Sequence, residues 1–170
     1  MSTDDDLLDR LERARADLEA ARDGVDEIGD DRLRDLRDAH ERTLSLFGRY
    51  QERATGSGDF RAFIEFQEAI AELVSDLPED LPERDAFETV SERMEQRRLS
   101  EHDFEAARET LDRAAELAGR LDERRQAEDR LRSARRAVED AIFDLRREID
   151  RLETVRSLGD ADLDAPARRP

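Results

Sequence analysis

Apolar residues recur every third or fourth position along most of the chain, the spacing of helices that each bury one stripe. The longest such run, Leu99 to Leu158, organises the rest. Ser100 and Asp103 have the three-residue spacing of a capping box, and Leu99 and Phe104 occupy the positions of a hydrophobic staple around it. Phe104, Ala107, Leu111, Ala114, Ala118 and Leu121 then form one seam, and Leu131, Val138, Ile142, Leu145, Ile149 and Leu152 form another. The spacing averages near 3.5, as in a coiled-coil seam. No proline interrupts the run, and Gly159 marks its end. One continuous helix is predicted here, and its stripe requires a partner, because isolated helices gain most of their stability from packing.

Upstream, Leu7, Leu11, Ala14, Leu18, Ala21, Val25 and Ile28 keep strict 4-3-4-3 spacing. Gly29-Asp30-Asp31 then either ends the helix, with Gly29 at the C′ position, or marks a local kink. The stripe resumes out of phase at Leu33, Leu36, His40, Thr43, Phe47, Tyr50 and Ala54, and Thr55-Gly56-Ser57-Gly58 closes the segment as a loop. Residues 59–77 carry Phe60, Phe63, Ile64, Phe66, Ile70, Leu73, Val74 and Leu77, enough to predict a helix buried on more than one side. Pro82 suits the first turn of the next helix, whose narrow stripe is Phe87, Val90 and Met94.

The two long arms, about residues 4–55 and 100–157, match in length. Folded antiparallel with Thr55 beside Ser100, they place position 28 opposite 127, so the phase loss near Gly29 faces the polar stretch Asp122 to Arg130. Every aromatic except Phe143 lies between 47 and 104. The expected fold is therefore all-α: a long antiparallel helical hairpin, a coiled coil, with a small helical head. Residues 1–158 form one domain, with the stalk at 4–46 and 110–157 and the head at 47–109, and residues 159–170 form a disordered tail. A parallel homodimer through the long helix is the competing arrangement.

Composition sharpens this picture. Charged residues make up 45% of the chain and hydrophobic ones 36%, thin for a compact globule and ordinary for a coiled coil. The net charge is −17, the wrong sign for binding nucleic acid through its phosphates or for anionic membrane surfaces. All 30 basic residues are arginine. An acidic surface without lysine fits a protein working in molar salt, where the Debye length falls to about 3 Å; the alternative is a GC-rich genome that favours arginine, alanine and aspartate codons. No apolar run reaches the length of a membrane span. The acidic start Met-Ser-Thr-Asp-Asp-Asp lacks signal-peptide character, so a cytoplasmic location is expected.

Candidate chemistry is sparse. There is no cysteine, and the two histidines, His40 and His102, lie far apart in the predicted pairing. No Glu-x-x-His pair exists to build a di-iron bundle site. Acidic pairs are uninformative among 47 carboxylates, and Gly56-Ser57-Gly58 lacks the lysine of a phosphate loop. No catalytic, cofactor-binding or metal-ligating residues are assigned, and no cofactor is expected. The polar stretch Asp122 to Arg130 reads as an exposed section of coil, or more sharply as a hinge or docking collar. Glu128 and Arg135 fall at seam positions, where single polar residues can fix register.

The Asp-Asp-Asp-Leu-Leu-Asp-Arg-Leu-Glu start, lysine-free acidic arms and Leu/Ala seams resemble an uncharacterised haloarchaeal family of acidic coiled-coil proteins without assigned activity. The resemblance implies a halophilic coiled coil and brings no functional residues. The expected function is non-enzymatic: an interaction or scaffold protein, as a monomeric hairpin or homodimer, with a protein partner or self-association and neither nucleic acid nor membrane. The alternative is a helical-bundle chaperone or sensor that binds a ligand or protein through the aromatic head. Transfer from molar to dilute KCl is expected to lower the melting temperature and helical circular dichroism, because excess carboxylates then repel unscreened. Identical melts in both buffers would contradict that reading of the charge.

Overall fold

The computed structural model describes residues 3–56 and 59–163. Among them the chain is all-α, with six helices: α1 (Thr3–Asp26), α2 (Asp30–Ala54), α3 (Phe60–Ser75), α4 (Arg84–Met94), α5 (Glu101–Thr110) and α6 (Asp112–Leu163). It divides into two compact units, one made of Met1–Leu18 with Ala127–Pro170, the other of Glu19–Gln126.

In the Glu19–Gln126 unit, α2 packs on α3, α3 on α4, α4 on α5, and α5 back on α2. The seam predicted for the start of the long run is buried throughout: Phe104, Ala107, Leu111, Ala114, Ala118 and Leu121. Leu33, Leu36, Phe47, Phe66, Ile70, Phe87, Val90 and Met94 complete the core. Phe104 sits edge-on to Phe47 at 5.4 Å between ring centroids and lies 5.3 Å from Phe66. Such tilted and edge-to-face pairs add to the area the rings bury. Asp103 accepts a hydrogen bond from the Ser100 backbone N–H at 2.8 Å, as the capping-box spacing predicts, and a second from the Ser100 hydroxyl at 2.7 Å. These bonds hold the Asp103 carboxyl below the usual carboxylate range.

The predicted single helix from Leu99 is interrupted once. Helix α5 stops at Thr110 and α6 begins at Asp112. The Leu111 N–H is shared between the carbonyls of Ala107 at 3.2 Å and Arg108 at 3.0 Å, and the i−3 bond tightens the turn. The Thr110 hydroxyl donates to the Ala106 carbonyl at 2.8 Å, a bond that bends helices. Leucine periodicity carries no trace of either bond.

Gly29 is a true turn. Helix α1 ends at Asp26, the Gly29 N–H reaches the Val25 carbonyl at 2.8 Å, and Gly29 adopts φ 107° before α2 starts at Asp30. A side chain is strained at that φ, which is why glycine stands there. The turn shifts the register. Thr55 meets Leu99 in an isolated parallel bridge, and Arg37 bonds the Ala118 carbonyl at 3.1 Å, both near the predicted pairing. Beyond the turn, Arg120 instead bonds the Gly24 carbonyl at 2.9 Å and Glu27 at 3.1 Å, while Arg124 meets Asp30 at 2.6 Å. Asp30 with Arg124 still fits the predicted pairing to within one residue, whereas Glu27, before the turn, lies beside Arg120 and so falls about two turns short of its predicted partner 128.

Helix α3 is also less enclosed than its composition suggests. Ala62, Phe66, Ile70 and Leu73 are buried, whereas Phe60 is 74% exposed and Ile64 is exposed. Asp59 caps the helix by accepting from the Arg61 N–H at 3.0 Å, which leaves Phe60 at the open N-terminal end. Helix α4 starts two residues after Pro82, because Glu83, at φ 57°, occupies the cap position.

In the unit of Met1–Leu18 with Ala127–Pro170, α1 runs antiparallel to α6. Asp17 lies 3.9 Å from Arg130, and Leu7 and Leu8 share a groove with Val138, Ala141, Ile142 and Leu145. Ala14, Leu18, Ala127, Leu131 and Ala134 are buried. The predicted register would have placed residue 17 beside 138, so the pairing is again about two turns short. Helix α6 continues through Gly159 to Leu163, so the expected tail is helical at its start. Residues 164–170 of that tail, and Ser57-Gly58 of the predicted loop, lie outside the described residues.

Phe66→Ala should destabilise the chain by about 3–5 kcal/mol, the usual effect of removing a buried phenyl ring. Phe60→Ala should change stability by less than about 0.5 kcal/mol, as exposed positions do. Urea unfolding at molar KCl measures both, and equal effects at the two positions would contradict the core described.

Candidate interaction surface

The second seam of the long run behaves unlike the first. On an ideal helix at about 100° per residue, Leu131, Val138, Ile142, Leu145, Ile149 and Leu152 fall within one narrow stripe. Leu131 is buried at 8% exposure, but Ile142, Leu145, Ile149 and Leu152 are 44%, 51%, 54% and 57% exposed. Val155 and Leu158 are also exposed, but they lie off this stripe, about 120° and 180° around the helix from Ile149. The cause lies in the register. Where α1 begins, its Leu7 and Leu8 stand beside Val138 to Leu145, and no described residue of this unit covers the stripe beyond. The sequence pattern marked these residues as seam positions. The two-turn shift that uncovers them follows from the pairing, which the pattern does not record.

Their surroundings fit a face that meets another helix. The groove at the start of the exposed stretch is about 190 Å³ and almost wholly apolar, with Leu8 on its rim. Phe143 lies off the stripe and carries the Arg147 guanidinium 5.9 Å from its ring. Arg151 pairs with Glu148 at 3.4 Å beside the stripe, and Arg156, on the line of the stripe past Leu152, pairs with Asp160 at 3.9 Å. Ile142, Leu145, Ile149 and Leu152 thus form a run of exposed apolar side chains along one face of α6.

The polar residues singled out from the sequence have other roles. Asp122 to Arg130 is uninterrupted helix. In one unit Asp122 pairs with Arg37 at 3.0 Å and Arg124 with Asp30; in the other, Ala127 is buried and Arg130 faces Asp17. The Arg124 hydrogen bond holds the Asp30 carboxyl below its ordinary range. Glu128 is half-buried and Arg135 exposed. His40 is half-buried; desolvation lowers its pKa, opposed by the nearby Glu41 and Asp112 charges, while His102 is exposed. Among the described residues no group of three or more His, Asp or Glu side chains is arranged to hold a metal ion, and no helix is long and apolar enough to cross a membrane.

The aromatic residues divide in two. Phe47, Phe66 and Phe104 have no solvent exposure and touch one another. Phe60 stacks on the partly buried Phe63 at 6.1 Å and lines a shallow groove of about 220 Å³ with Arg97 and Arg98.

No curated protein and no solved structure matches the chain. The model of one family, described as a Domain of unknown function (DUF7118), matches residues 11–169. That match spans both compact units and the whole of the exposed stripe, and the chain belongs to this DUF7118 family.

Proposed function

We propose that this chain is a non-enzymatic helical interaction or scaffold protein of a halophile, acting in the cytoplasm through coiled-coil contacts. The observation that carries the reading is the exposed stripe of α6. Ile142, Leu145, Ile149 and Leu152 hold seam positions on a helix already formed, yet stand open to solvent. Leaving such residues exposed forfeits about 1.5–3 kcal/mol for each side chain that could be fully buried. Covering them with another helix recovers that energy, and the preformed helix reduces the ordering cost of association.

The charge supports the halophilic part of the reading. With 30 arginines against 47 carboxylates, surface repulsion is tolerated where salt screens it. Arginine also serves as a fixed donor. Arg37, Arg84 and Arg120 each bond backbone carbonyls of other segments, contacts suited to its planar fork of N–H groups. Ligand binding at the buried rings has less support, since Phe47, Phe66 and Phe104 fill the space between them.

Affinity capture on the immobilised full chain at molar KCl, with light scattering of the free chain, tests the proposal. A specifically retained protein or a mass above that of one chain is expected. Recovery of no partner from a chain that is also monomeric would contradict it.

A further inference from the structure

We infer that the occupant of the exposed α6 stripe is a second copy of this chain, paired in parallel and in register over Ile142 to Leu152. The inference rests on the reading above of an interaction protein and names its partner.

Two observations lead to it, and a third sets its salt dependence. First, the stripe is continuous with an interface that already exists. Leu131 and Ala134 are buried in the unit they share with α1, Val138 is half-buried, and Ile142, Leu145, Ile149 and Leu152 extend the same face with rising exposure. The occupant must therefore offer a helix with the same heptad spacing, which a lipid surface or small molecule does not.

Second, the residue types specify the geometry. With Ile142 and Ile149 at a positions, Leu145 and Leu152 fall at d. β-Branched residues at a and leucine at d favour two parallel strands over other assemblies. A second copy in register sets Ile against Ile and Leu against Leu, so every layer takes the favoured form. Arg156 at the next a position and Gly159 at the next d position end the zipper.

Third, the charges set a condition. Glu148 at g and Glu153 at e of the facing copy come together in this arrangement, and like charges there oppose pairing. At molar salt, with a Debye length of about 3 Å, that repulsion is screened. Association should strengthen with KCl, opposite to the usual response of an interface held by ion pairs.

Sedimentation equilibrium of the full chain across a wide concentration range, in dilute and molar KCl, provides the first test. A species of twice the 19.6 kDa chain mass should form at molar KCl and weaken in dilute buffer. The double variant Ile149→Glu with Leu152→Glu should return it to the single-chain mass with unchanged circular dichroism, since both sites are exposed. The chain has no cysteine, so Leu152→Cys should oxidise to a disulfide-linked dimer, whereas Thr154→Cys, off the stripe, should not. A single-chain mass throughout at molar KCl, or a dimer that survives the double variant, would overturn the inference. If the wild type is monomeric while the double variant loses capture of another protein, the stripe belongs to that protein. The self-pairing is then wrong and the broader reading stands. If the variant changes neither mass nor capture, both fall.

Discussion

An amphipathic helix with a narrow apolar stripe is stable only when something covers that stripe, and nearly every feature of this chain follows from how far the cover extends. In the unit of Glu19–Gln126 the cover is complete. The seam from Phe104 to Leu121 closes against α2 and its neighbours, and the phenyl rings of Phe47, Phe66 and Phe104 fill the widest part. In the unit of Met1–Leu18 with Ala127–Pro170 it is partial. Ala14, Leu18, Ala127, Leu131 and Ala134 are buried with one another's help, and apolar residues beyond Ile142 are left to solvent.

Much of this was legible in the residues. The 4-3 spacing of Leu7 to Val25, the cap at Ser100 and the paired seams encode helix positions and buried faces directly, because period and capping are local properties. Thr55 beside Ser100 came from matched arm lengths, one residue from the observed bridge to Leu99. Three features were not legible. The break at Leu111 depends on a shared backbone hydrogen bond. The exposure of Phe60 depends on which end of α3 meets the other helices. The two-turn shift depends on how much advance the Gly29 turn consumes, and glycine signals a turn without stating its geometry. That last omission mattered most for the candidate surface. With the predicted register, Leu145 would have stood beside Arg10, well inside α1; with the actual one, it stands at the start of α1 with Leu7 and Leu8 and is exposed.

The polar residues show a division of labour that follows from arginine being the only long-chain cation. Ion pairs along helix surfaces, such as Arg61 with Glu65 and Arg132 with Asp129, are exposed and contribute little each. The contacts of Arg120 with Gly24 and Glu27, and of Arg124 with Asp30, join segments far apart in sequence and fix where one helix stops against another. Heptad positions alone permit slippage by whole repeats. These directional bonds select one register within the Glu19–Gln126 unit.

The claim beneath all of this is that α1 packs antiparallel on α6 of its own chain. The direct measurement is the distance between spin labels at Asp9→Cys and Glu139→Cys, in doubly labelled chains diluted into unlabelled protein at molar KCl. The account predicts a short distance, that of two helices with axes about 8–10 Å apart plus the label arms, unchanged by dilution. A long distance, or a short one that disappears on dilution, would contradict it.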